Sequence, residues 1–277
     1  MRKIFLIYFF LFAFGAAGAQ TLSKPIAASI ISPGAYSIDH VDVFSVWQNV
    51  ASLAQLREAG FGVYGERRFL LAQTSFYSSV IALPTEDGNF AFQADYFGFK
   101  NFNKSQIGFA YARKMGDRFN LGMKVNYYSF RIPGYQNPST VDFEIGGIVH
   151  ITEKLNAGIN LYNPVGGKLS KTENEKLGSV YTLGIGYEAS PDFLIAVEVQ
   201  KQEELPVNVN AAVEYDFAKK FFAQFGVATE NESPFGAAGI SWDQFRLNVS
   251  ASFHPQLGLT PGLQLIMNLK SKEVESN

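Results

Sequence analysis

Three histidines, His40, His150 and His254, are the first side chains to weigh for chemistry. An imidazole can ligate a metal or serve as a general base. A metal site needs partners at a set spacing, such as i and i+4 on a helix, and no pair of these histidines has it. A Ser/His hydrolase would need a serine and an acid grouped around His150 or His254, and neither has them in a recognisable pattern. Exposed or interface positions are expected for all three rings. The chain has no cysteine, which removes disulfides and thiolate metal sites. Gly184-Ile185-Gly186 is a Gly-x-Gly, but it sits in a strand pattern, where glycine marks tight backbone packing. The expectation is a protein that is not an enzyme and has no cofactor or metal.

The remaining chemistry is electrostatic. Asp95, Lys124, Asp142, Glu144, Glu198, Glu214 and Arg246 all fall on the polar side of alternating segments. Charges shielded from bulk water must pair or stay hydrated. Lining a barrel lumen, they would form a network that seats a plug, or else a selectivity lining for a pore.

The elements that would position them are strands. In Leu121-Gly122-Met123-Lys124-Val125-Asn126-Tyr127 one face is Leu, Met, Val and Tyr, and the other Gly, Lys and Asn. The same division recurs in 155–161, 207–215, 245–253 and 263–269. Strict alternation over about nine residues is a strand signal at the length of a transmembrane strand. Fourteen such segments are expected, near 59–66, 73–83, 89–99, 105–115, 118–130, 140–151, 155–162, 180–189, 193–201, 207–217, 221–229, 235–242, 245–253 and 261–270. Every second connection is tight, as at Gly116-Asp117 and Asp243-Gln244. Those between are mostly longer, and the longest runs from Asn163 to Ser179. Short turns at one end and longer loops at the other suit an outer-membrane barrel, with the tight turns and both termini periplasmic. Arg113, on an apolar face, lies beside a turn and can snorkel.

Composition agrees. The 277 residues are 47% hydrophobic and 15% aromatic, and only 17% charged. Lys+Arg number 23 against 25 Asp+Glu, so a basic nucleic-acid binder is excluded. A soluble sandwich or lipocalin-like barrel also alternates, but one this large usually carries more surface charge.

Arg2-Lys3, the apolar stretch Ile4–Phe14 and Ala17-Gly18-Ala19 read as a cleavable secretory signal over residues 1–19. The apolar stretch is too short to cross a bilayer as a helix. Residues 20–58 do not alternate. Within them Val46, Asn49, Val50, Leu53 and Leu56 follow a helical stripe, which suggests a partly helical segment before the barrel, either a periplasmic helix or a plug. The barrel is expected over 59–270, followed by a polar tail, 271–277.

The stretch from Asp42 through Trp47-Gln48-Asn49-Val50-Ala51-Ser52-Leu53-Ala54 resembles the N-terminal hatch of the FadL family of fourteen-stranded barrels. It is similar in particular to the short branch that includes PorV and PorQ of type IX secretion. The family pattern is an acidic residue, an aromatic, Asn-Pro-Ala and a leucine; Val50 stands here at the proline position. Tyr162-Asn163-Pro164-Val165-Gly166-Gly167 and the His254-Pro255-Gln256-Leu257-Gly258 segment also resemble that branch. The last strand ends near Leu269 on no aromatic residue, a departure from the family's assembly signal.

The resemblance implies an all-β, fourteen-stranded antiparallel transmembrane barrel with an N-terminal, partly helical plug, in the outer membrane of a Gram-negative bacterium. It assigns Asp42, Trp47, Asn49, Ala51 and Leu53 to the hatch. The loops are shorter than those with which the family's transporters capture ligands. The first expectation is therefore an accessory subunit of an outer-membrane secretion or assembly complex, with outer-membrane lipid and other outer-membrane proteins of that complex as partners. The alternative is a channel for the diffusion of hydrophobic small molecules.

Overall fold

In a computed structural model the described residues are 33–134, 137–166, 177–203, 205–218, 220–229 and 233–269. The secretory signal expected at 1–19, the tail expected at 271–277 and most of the connection from 163 to 179 lie outside them.

Fourteen strands are present, as the alternation predicts. They are β1 (Ala59–Arg67), β2 (Ser75–Thr85), β3 (Gly88–Phe99), β4 (Phe102–Met115), β5 (Phe119–Arg131), β6 (Ser139–His150) and β7 (Leu155–Tyr162). Then follow β8 (Val180–Ser190), β9 (Phe193–Gln202), β10 (Val207–Phe217), β11 (Phe221–Ala228), β12 (Ser233–Trp242), β13 (Phe245–His254) and β14 (Gly258–Leu269). Each strand pairs with its chain neighbours, and β1 pairs antiparallel with β14, so the sheet closes into a barrel with no free edge. Closure satisfies every ladder position, which lipid demands and water does not.

The burial pattern is inverted relative to a soluble protein. On β5, Met123 is 55% exposed while its neighbour Lys124 is 4% exposed. Leu121, Val125 and Tyr127 share the outward face, and Asn120, Asn126 and Tyr128 the inward one. Such an outer wall is stable only against hydrocarbon. Tight turns join the strands at one end. Gly116 turns there with φ +74°, a region that glycine enters without steric cost.

The segment before β1 is inside the barrel. After a 3-10 turn at Pro33–Tyr36, the stretch that carries the helical stripe forms two short 3-10 turns, Val43–Trp47 and Val50–Gln55. Asn49 is extended at φ −146° and caps the second turn, which breaks the run. Every residue of both turns is buried. A one-sided stripe suits a helix on a surface; here the wall surrounds the segment, so all its faces are covered.

Candidate functional site

The site is the interface between this internal segment and the wall. Wall glycines form its imprint. A Cβ at Gly184 would stand 2.0 Å from Tyr36 Cζ, and one at Gly186 2.2 Å from the Tyr36 carbonyl oxygen. At Gly62 it would meet Phe44 at 2.4 Å, and at Gly146 the Asn49 amide oxygen at 2.3 Å. These inward positions on β1, β6 and β8 must be bare for the segment to fit.

The C-terminal half of the plug is held by amides and rings. The Asn49 side chain donates to the carbonyls of Gly147 (3.3 Å) and Ile159 (3.1 Å) and accepts from Ala51 N–H at 3.0 Å. Val50 N–H donates to Asn160 Oδ1 at 3.3 Å, a bond that a proline at position 50 could not make. Asn89 on β3 donates to the carbonyls of Leu53 (2.7 Å) and Leu56 (2.8 Å). Trp47 packs in a tilted arrangement against Phe44 with centroids 4.4 Å apart, and meets Tyr64 on β1 at 5.6 Å and Phe76 on β2 at 6.4 Å. Phe222 and Phe235, from β11 and β12, join the same apolar cluster. An aromatic seam therefore runs between plug and wall.

The N-terminal half is held by carboxylates. Tyr36 Oη donates to Glu198 on β9 at 3.1 Å. Burial pushes the Tyr36 phenol up, and Glu198 adds to the shift, so the phenol remains a donor. Ser37 Oγ and Ile38 N–H both donate to Glu188 Oε1 on β8. A β-bulge between Glu188 and Ser190 sits at this point of the β8–β9 ladder. Bulges re-aim side chains.

His40 Nδ1 lies 3.5 Å from Glu214 and 3.8 Å from Asp216, both on β10. Burial alone would pull this imidazole down, but Glu214, Asp216 and Glu188 outweigh it and hold it above its ordinary value. Arg246 on β13 donates to Glu214 at 3.1 Å and covers the Phe222 ring at 3.9 Å. Asp42 accepts from the N–H groups of Phe44 (2.8 Å) and Ser45 (3.1 Å), capping the first 3-10 turn. Burial pushes its carboxyl up to about 6, against the pull of Arg246 and those N–H groups.

The other charges form a separate group. Lys124 pairs with Glu144 at 3.4 Å, and Asn160 donates to Glu144 at 2.8 Å. Asn126 donates to Asp142 at 2.9 Å. Asp95 accepts from Ser78 and from Gln93, the latter at 2.5 Å. The seven charges expected to share one network thus divide. Glu198, Glu214 and Arg246 serve the plug's N-terminal half, and Asp95, Lys124, Asp142 and Glu144 line the opposite wall.

Sequence reasoning missed Tyr36, Ser37, His40, Glu188 and Asp216 as plug contacts. Glu214-Tyr215-Asp216 carried a signal for Asp216, since i and i+2 share a strand face. Nothing in the sequence pairs His40 with a residue so far along the chain. His150 is held between Asn120 Nδ2 (3.0 Å) and Asn156 Oδ1 (2.6 Å). It lines a cleft of about 630 Å³ at the tight-turn end, together with Gln55, Arg57 and Arg118.

No family model matches the chain, and no curated protein sequence does. Solved structures do. A FadL homologue of Pseudomonas aeruginosa superposes with a TM-score of 0.61 at 10% identity, over 87% of this chain and 96% of that one. The CymD monoaromatic hydrocarbon channel gives 0.59 at 10% identity, over 83% and 94%. The toluene transporter TbuX of Ralstonia pickettii gives 0.55 at 11% identity, over 86% and 97%. At such identities the likeness is one of fold, and it lends nothing to the narrower PorV/PorQ-like branch: what the neighbours share with this chain is the closed fourteen-stranded antiparallel barrel of FadL-like outer-membrane channels.

Proposed function

We propose that the protein is an outer-membrane channel for hydrophobic small molecules, with the segment from Pro33 to Leu56 as its plug and the tight turns facing the periplasm. The observation that carries this is the aromatic seam of Phe44, Trp47, Tyr64 and Phe76 between plug and wall. A pore for hydrated solutes has no use for apolar surface in its lumen. An apolar solute can slide along such a seam and replace ring contacts with its own. The barrel's likeness to channels for toluene and monoaromatic hydrocarbons supports the same choice over the accessory-subunit expectation.

The test is uptake of a labelled apolar aromatic by cells that carry the protein in an outer membrane lacking other such channels. Faster uptake than in cells without the protein is expected, with a loss in Trp47→Ala. Unchanged uptake would sink the proposal.

A role in a complex is the second reading. The connection between β3 and β4 is only Lys100 and Asn101, which leaves little collar to capture a ligand. Co-purification of stoichiometric partners from detergent-solubilised outer membrane, with no uptake, would favour it.

A further inference from the structure

The two halves of the plug are anchored by different chemistry. Val43–Gln55 is fixed to the wall by asparagine amides and aromatic rings, none of which titrates near neutral pH, and the Asp42 cap on its first turn is ionised above about 6 and so persists toward alkaline pH. The preceding residues are fixed to Glu188, Glu198, Glu214 and Asp216. We propose that Tyr36–Asp42 is a proton-responsive clasp, holding to β8–β10 while His40 is charged and releasing when it is neutral, with Val43–Gln55 still seated.

The charges around His40 set the direction. Facing it are Glu214 and Asp216 from β10 and Glu188 from β8; Arg246 from β13 pairs with the same Glu214 and acts on Asp42 of the same segment. Protonated His40 and Arg246 together offset these carboxylates. A neutral imidazole leaves Arg246 to do so alone, in a place where His40 and Glu214 have side chains 2% and 3% exposed. Contacts of 3.5 and 3.8 Å exceed a charge-assisted hydrogen bond of about 2.8 Å, so the attraction rests on net charge more than on a fitted bond. Because His40 is held above its ordinary value, the clasp is complete below that value and is lost as pH rises through the raised one. The clasp therefore opens toward alkaline pH. It would release the wall of β8–β10 and leave the asparagine-anchored half in place. As a gate it rests on the channel reading; as a movement it does not.

The chain has no cysteine, so single cysteines report cleanly. Ala35→Cys, buried next to Tyr36, reports on release of the clasp and Ala51→Cys on the seated half, both in the full protein reconstituted in liposomes. The ratio of their labelling rates by a small maleimide removes the pH dependence common to both thiols, and the His40 variants, which carry the same cysteines, control for the remainder. The ratio should rise by about tenfold between about pH 6 and about pH 9. It should be high throughout in His40→Gln and stay low in His40→Lys, which keeps the charge. A flat wild-type ratio, or His40→Lys following the wild type, overturns the clasp. Bilayer conductance of the cysteine-free protein and of the same His40 variants gives a second reading should a cysteine variant misfold, with the same order expected and a pH-independent conductance counting against the clasp. A labelling ratio that titrates without hydrophobic uptake would sink the channel and keep the clasp. Uptake with a flat ratio would do the reverse.

Discussion

Tyr36 lies on Gly184, with its ring where a Cβ at 184 would be, 2.0 Å from Cζ, and from there its hydroxyl reaches Glu198. Wall and plug are shaped to each other at this point. Gly184→Ala should displace the ring and cost about 1–3 kcal/mol, as overpacking does. In a Tyr36→Ala background the same change should cost well under half as much. Thermal unfolding in detergent across this double-mutant cycle measures the coupling; additive costs would mean that the two residues do not share the space.

Val50 occupies the position where the FadL pattern has proline. Asn49 before it is extended, at φ −146°, which suits a residue preceding proline, and position 50 opens a turn, where proline is tolerated. Val50→Pro should therefore lose little beyond the bond to Asn160, about 1 kcal/mol. Asn49→Ala loses its bonds to the carbonyls of Gly147 and Ile159 together with the cap on Ala51 N–H and should cost more, about 2–3 kcal/mol. Equal losses in chemical denaturation would contradict this ranking.

Lys124 and Glu144 have side chains only 4% exposed each. Lys124→Met leaves Glu144 buried without its cation and should cost about 3–5 kcal/mol. Lys124→Met with Glu144→Gln should recover most of that. Folded yield, read from heat-modifiable gel mobility, checks it; a double variant no better than the single one would refute it.

Leu265 faces outward on β14 and Gln264 inward, where it bonds to Asn248. Leu265→Arg puts a charge into the lipid face and should cost about 2–4 kcal/mol. Gln264→Leu loses one side-chain bond and should cost about 1 kcal/mol. Membrane insertion of the two variants, compared side by side, tests which face meets lipid.

The barrel was legible because a two-residue period is a local signal. Met123 and Lys124 declare their faces from adjacent positions, and fourteen such runs fix the strands. The hatch residues were legible only by resemblance, and the partly helical form expected of them takes the shape of short 3-10 turns. A helical stripe from Val46 to Leu56 describes spacing, but enclosure by the wall replaces the helix with two capped 3-10 turns. The division of the lumen charges was not legible at all. Alternation places Glu214 and Lys124 on the same side of the sheet, but which one meets the plug depends on where Pro33–Leu56 lies in the closed barrel. The glycines held that information. Gly62, Gly122, Gly146 and Gly184 are bare inward positions, each meeting one part of the segment.

The pairing of β1 with β14 joins Ala59 to Leu269 and Val63 to Leu265, the most distant partners along the barrel chain. Contacts between remote segments carry the largest loop-closure cost and form late. The plug precedes β1 and touches strands from β1 to β13, so the segment nearest one end of the barrel chain is the one that the seam between its two ends helps to enclose. Closing the wall therefore also fixes the plug, and one seam between β1 and β14 completes both the lipid-facing surface and the socket behind it.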